Sequence, residues 1–301
     1  MIRKAQVAGG FYPFSETKLI RSIEESFSDP LFGPGNLVIN FNPPEMRNVI
    51  GGICPHAGYI YSGAATAHTI KAIFEDKCPD TIIILGTSHT GYRGIALMKA
   101  GKWETPLGLV SIDTKLAETI LSHSEYLKED NSAFFGYHAR EHNIEVQIPF
   151  LQYAAGKYNK SIEIIPIKVG DMNLKHLEQL GKELGQKIAQ SEKNAVILSS
   201  SDMTHKQPNN YYQPTKDLED MYQKDKAVFD SVTNYDWNAV FENATKTSVC
   251  GPQTIVTGMI ACKEMGAKQS NVLKYYTSYE KLGGTGPCEY SVGYLSAIFT
   301  R

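Results

Sequence analysis

The chain has no apolar run approaching the ~20 residues that cross a bilayer, and its first residues, MIRKAQVAGGFYPF, lack an apolar core of signal-peptide length. A membrane protein is therefore not expected, and the expected location is the cytoplasm. No charge of one sign dominates. Thirty Lys and Arg against 32 Asp and Glu give a formal net charge of -2. That lacks the basic footprint of a nucleic-acid binder. There is no CxxC pair: five cysteines stand apart at 54, 78, 250, 262 and 288, an odd number that reads as reduced thiols. Neither a Walker A sequence nor a dinucleotide fingerprint occurs. No internal repeat or long polar linker divides the 301 residues. With 42% hydrophobic and 21% charged residues, disorder is not expected either.

What is present is an alternation of buried strands and helices. Asn48 to Gly63 reads NVIGGICPHAGYIYSG: an apolar strand, a proline that stops it, His56, then a helix expected to be capped by Ser62. Thr81 to Leu85 is a second buried strand, running into Gly86-Thr87-Ser88-His89; Ala195 to Leu198 is a third, running into Ser199-Ser200-Ser201-Asp202-Met203-Thr204-His205. Ile95–Met98 and Leu109–Ile112 read as strands flanking a turn at 103–108. Glu141 to Ala155 reads as a helix kinked at Pro149, and Ile162 to Val169 as a strand that Pro166 bends or confines to an edge. Cys250-Gly251-Pro252 opens a later helix. Val272–Ser278 and Glu289–Phe299 finish the chain as strands joined at Gly283-Gly284-Thr285-Gly286, a hairpin turn rather than a phosphate loop. Strands alternating with helices predict one α/β/α domain around a mostly parallel sheet.

Polar residues recur just past the buried strands, where open α/β sheets bind ligands. His56 and His89, at equivalent points of what read as neighbouring strands, predict a shared site, since neutral imidazole is the commonest metal ligand. Asp202 can ligate a metal, orient an imidazole or simply cap a turn, and His205 suits general acid–base work. On a helix, His142 and Glu145 at i and i+3 face the same way, so Glu141, His142 and Glu145 are candidates to support the metal ligands. They lack the paired histidines of H-E-x-x-H. Cys250 at a helix N-terminus suits a thiolate, as nucleophile or soft metal ligand.

Taken in order, P-H-A-G-Y at His56, L-G-T-S-H at His89, E-H-x-I-E-x-Q at Glu141, S-S-D-M-T-H at His205 and C-G-P at Cys250 resemble the Memo (mediator of cell motility) family. The arm A-G-G-F-Y-P and the closing V-G-Y-L-S-A fit as well, so the resemblance spans nearly all of residues 1–301. It implies a fold similar to class III extradiol dioxygenases, which open catechol rings with non-haem iron(II). It further implies His56 and His89 as metal ligands and His205 as the acid–base residue. Cys250 occupies the region of the third, carboxylate ligand, and a thiolate there moves the site toward softer metals. The implied cofactor is a divalent or soft transition metal, iron or copper. Animal Memo proteins are described as adaptors for phosphotyrosine peptides, and microbial relatives are associated with a radical-SAM protein as partner.

The expectation is a metal pocket of His56, His89 and Cys250 with Asp202 and His205 as catalytic residues, working by redox or oxygen-dependent chemistry on a small molecule. Two rivals stand beside it. The same pocket can serve a binding module that accepts a peptide or an anion, or Cys250 can act as a nucleophile with His205 as its base.

Overall fold

The structure, a computed structural model, describes residues 1–122, 124–191 and 193–301. An N-terminal arm carries strand β1 (Ile2–Arg3) and is followed by helix α1 (Glu16–Ser28). Strand β2 (Val49–Cys54) leads into α2 (Tyr59–Asp76) and then β3 (Thr81–Gly86). An excursion adds β4 (Ile95–Leu97), β5 (Lys102–Thr105), β6 (Gly108–Ile112), α3 (Thr114–Leu121) and β7 (Leu127–Glu129). Short 3-10 turns between Asn131 and Gln147 lead to α4 (Ile148–Lys157). Next come β8 (Glu163–Val169), α5 (Leu174–Gln190) and β9 (Ala195–Ser200). The last third holds β10 (His205–Lys206), α6 (Thr215–Thr233), α7 (Trp237–Thr245) and α8 (Pro252–Glu264). It closes with β11 (Gln269–Thr277), α9 (Ser278–Lys281) and β12 (Ser291–Thr300).

The sheet runs β1-β5-β6-β8-β3-β9-β2-β12-β10, with β11 on β12 and β4 beside β8. From β6 to β2 every pair is parallel. Of these, β2, β3 and β9 are buried along their whole length, as befits strands with helices on both faces. Gly51 and Gly52 show how closely. A Cβ on Gly51 would collide with Cys262 of α8, and one on Gly52 with Thr69 of α2. Successive strand residues point to opposite faces, so α8 and α2 press on β2 from opposite sides. Helices α1 and α4 pack with α2, while α5 and α7 pack with α8. The result is the expected three-layer α/β/α arrangement around a mostly parallel sheet. No helix among the described residues is long and apolar enough to cross a membrane.

Several local expectations change. Helix α2 starts at Tyr59 after Gly58, so Ser62 lies within it and its hydroxyl donates to the Ala57 carbonyl. The hairpin is β5–β6, closed at Thr105 and Gly108, whereas β4 pairs with β7 and β8. No helix begins at Glu141. Pro149 sits in the first turn of α4, where its missing N–H costs nothing; deeper in a helix its ring would strike a carbonyl one turn back. Pro166 is interior rather than at an edge. It pairs with Ile84 on one side, and on the other it falls where the partner changes from β6 to β4. A short capped helix, α9, precedes the Gly283-Gly284 turn. Strands β2 and β3 are not neighbours: β9 lies between them. The Asp202–His205 segment therefore leaves the sheet between the two histidine-bearing ends.

Candidate metal centre

Because β3, β9 and β2 are parallel and adjacent, the loops that follow them open on one edge of the sheet. His56 is buried there. Its backbone N–H donates to Asp202 Oδ1 at 2.7 Å, and its Nδ1 lies 3.0 Å from Ser200 Oγ. Its Nε2 is buried and has no hydrogen-bond partner among the described residues. His89 is held by one carboxylate at two points. Its backbone N–H donates to Glu141 Oε2 at 2.6 Å and its Nδ1–H to Oε1 at 2.8 Å. His142 stacks between His89, with ring centroids 5.0 Å apart, and Phe11 of the arm at 4.3 Å. One nitrogen from each of His56, His89 and His142 lies within 4.8 Å of the others.

The donor chemistry of this cluster fits a metal ion. Burial, reinforced by the neighbouring imidazoles, pushes His56 well below the ordinary histidine range and His142 down to about 3. Both rings are therefore neutral at pH 7 and keep a lone pair. Burial would push Glu141 up, but the His89 hydrogen bonds, and the positive charge that His89 and His142 take on when protonated, pull it down to about 2. An anionic carboxylate that takes the Nδ1–H of His89 leaves the Nε2 lone pair free, the usual support for a metal-binding histidine. A buried polar atom normally has a partner, and Nε2 of His56 lacks one among the described residues. Three imidazoles suit iron, copper or zinc.

Across the cavity His205 Nε2 lies 3.1 Å from Cys250 Sγ, and His205 Nδ1 lies 2.8 Å from the Tyr290 hydroxyl. Burial lowers His205. Asp202, with Oδ2 4.0 Å from His56 Nε2, is raised by burial to about 6 although the His56 amide hydrogen bond opposes it. The cysteine differs from the thiolate expected at a helix start. Cys250 lies one residue before the Gly251 cap of α8, and burial, then the Asp202 and Glu141 charges, push its thiol up. It keeps its proton. These groups share a cavity of about 780 Å³ whose remaining wall includes Phe11, Tyr61, Leu282, Tyr290 and Tyr294.

The cavity thus brings together His56, His89, His142, Asp202, His205 and Cys250. Cys250 is not part of the three-histidine cluster, and His142 joins it as an equal of His56 and His89 rather than as their support. Glu141 supports His89. Glu145 points elsewhere, because no helix links it to His142. It is buried and accepts from Arg3 Nη1 at 2.5 Å, the Gln6 and Val7 amides at 2.9 Å each, and the Tyr12 hydroxyl at 2.8 Å. Those bonds dock the arm that delivers Phe11. Phe11, Ser200, Gln147 and Tyr290 escaped the sequence reading. Three of them stood inside quoted motifs without being singled out, Phe11 in A-G-G-F-Y-P, Gln147 as the last residue of E-H-x-I-E-x-Q and Ser200 as the first of S-S-D-M-T-H; Tyr290 had no such signal.

Compared with known proteins, residues 3–298 match the family model described as Memo-like protein. A MEMO1 family protein of Pyrobaculum arsenaticum is 37% identical over 303 residues, covering 100% of this chain and 99% of its own length. Those of Pyrococcus furiosus and Methanopyrus kandleri are each 35% identical, over 309 and 307 residues, with both chains covered completely. An uncharacterized protein from Escherichia coli K12, known from a crystal structure, aligns with a TM-score of 0.44 at 11% identity, over 82% of this chain and 99% of its own. That likeness is too weak to carry an argument.

Proposed function

This chain belongs to the Memo family, and we propose that its pocket binds a divalent or soft transition metal, iron or copper, for redox or oxygen-dependent chemistry on a small molecule. The observation that carries this reading is the convergence of one imidazole nitrogen from each of three histidines within 4.8 Å of the others. His56, His89 and His142 would hold the metal. When bound, such an ion supplies Lewis acidity and one-electron redox capacity. Cys250 is the proposed soft donor beside it, and a nearby cation favours the loss of proton that this requires.

The protein's own groups account for the rest. His205 is a neutral imidazole at the cavity wall, with Tyr290 at Nδ1 and Cys250 at Nε2, and is the group proposed to take up a proton during turnover. Asp202, titrating near 6, can hold or release a proton close to neutrality. The aromatic and aliphatic wall gives a substrate apolar surface to pack against beside these groups. A nucleophilic role for Cys250 is disfavoured by its raised thiol. A cavity this large and largely apolar favours, as a second reading, a binding module for a peptide side chain or anion without turnover.

Elemental analysis of protein purified without a metal-affinity tag tests the proposal, alongside His89→Ala and His142→Ala. Near-stoichiometric iron or copper, lost in both variants, is expected. Wild-type protein that stays metal-free after anaerobic iron(II) and copper(I) reconstitution would overturn the metal reading and leave the binding module.

A further inference from the structure

Ser200 is the last residue of β9, fully buried, and its hydroxyl has three partners. One is the Asn143 carbonyl, 2.7 Å away. A carbonyl can only accept, so the single hydroxyl proton of Ser200 is committed to it. Toward its other two partners the oxygen must then accept. Gln147 Nε2, at 3.1 Å, is established as the amino end of its side chain because it also donates to the Pro55 carbonyl at 2.8 Å. His56 Nδ1, at 3.0 Å, must likewise be the donor. A neutral imidazole carries one ring proton, and this arrangement places it on Nδ1. Nε2 is left bare, on the ring that meets His89 and His142 edge-on at 5.2 and 5.3 Å.

We propose that Ser200 is a positioning residue that selects the Nδ1–H tautomer of His56 and so decides whether Nε2 can donate to a metal. Asn143 and Gln147 hold the serine in that role, which gives the unassigned glutamine of E-H-x-I-E-x-Q a task. Without the hydroxyl, Nδ1 loses the acceptor it meets at 3.0 Å, and the Ser200 backbone carbonyl is the acceptor left near it. The ring proton is then free to move to Nε2, and an Nε2–H cannot ligate. The proton assignment stands on hydrogen-bond geometry alone; its consequence for binding rests on the metal reading above.

The test uses full-length protein dialysed against chelator, with nitrogen-15-labelled histidine, as wild type, Ser200→Ala and Ser200→Thr. Long-range proton–nitrogen NMR reads the His56 tautomer, and zinc(II) titration against a chelating dye reads affinity. Wild-type His56 is expected to show a protonated Nδ1 and a bare Nε2. Ser200→Ala should populate Nε2–H and lose about 10–100-fold in zinc affinity, and Ser200→Thr, which keeps the hydroxyl, should restore both. A wild-type His56 protonated on Nε2 overturns the proposal with no variant needed. So does a Ser200→Ala protein that melts like wild type and keeps both the tautomer and, within twofold, the affinity. If the tautomer shifts as expected but wild type itself binds no metal, the role of Ser200 stands and the metal reading falls.

Discussion

Glu141 accepts two hydrogen bonds from the single residue His89, one oxygen taking the backbone N–H and the other the ring Nδ1–H. The carboxylate thereby sets both where the loop after β3 lies and which nitrogen of the ring faces the cavity. Glu141→Gln preserves shape but removes the charge, and its amide NH2 would face a donor. Metal affinity should fall about 10–100-fold, with the circular dichroism spectrum unchanged. Equal affinity in a competition titration would deny Glu141 this role.

His142 and Glu145 stand three residues apart and should behave oppositely when changed. His142→Ala removes one imidazole of the cluster, so bound metal should drop while the urea midpoint stays close to wild type. Arg3→Ala strips a buried cation from Glu145 and from the Ala139 and Glu141 carbonyls. Leaving a buried carboxylate unpaired costs about 3–5 kcal/mol, and urea unfolding should show a loss of that order. Arg3→Ala at wild-type stability would mean that the arm is not docked through this pair.

Without metal, stability should decline as the solution is acidified. Burial holds His142 at about 3 and His56 well below its ordinary value, whereas an unfolded histidine titrates near 6.5. Between those limits the unfolded chain binds protons that the folded chain refuses, so acid favours unfolding. Asp202 acts in the opposite sense. Its folded carboxyl, near 6, takes a proton before the unfolded one at 3.8 does, so acid in that interval stabilises through it. Two histidines outweigh one aspartate, and Glu141, held at about 2, adds to the loss below 4.5. Each group contributes at most ~1.4 kcal/mol per pH unit. The urea midpoint in chelator should be lower at pH 5 than at pH 7; an equal or higher value at pH 5 rules out buried neutral imidazoles.

Cys250 should react slowly with iodoacetamide at pH 8 in the metal-free native protein, since burial and nearby carboxylates hold the thiol protonated. Peptide mapping after timed quenching would locate the label. Modification of Cys250 as fast as that of a free thiol would show that the helix start, rather than burial, governs it.

Much of the site was legible locally. An apolar run ended by Pro55 and followed by His56, a run ended by Gly86-Thr87-Ser88 and followed by His89, and Pro252 behind Cys250 all signal buried elements with polar residues at their ends. Backbone sterics and side-chain burial act over a few residues there, and the sequence displays them directly. The segment from Glu141 to Gln147 misled for the same reason. Its apolar spacing continues smoothly into α4, and periodicity alone does not reveal that Pro149 starts the helix.

The sequence by itself determined the class of fold, the strands that end in histidine, and the residue types that could meet a metal. Only the tertiary structure decided which of them meet. The order β3-β9-β2 is a matter of pairing between distant segments, and no local pattern encodes it. That order places Ser200 beneath His56. It also sets Cys250 against His205, because α8 begins where its Cys250 and Gly251 amides bond the Asp202 carbonyl and Ser201 hydroxyl beyond β9. His142 turns into the cavity and Glu145 away from it because buried Arg3, arriving from the far end of the chain, takes the Glu145 carboxylate. A charge in the interior must find its partner wherever the fold supplies one.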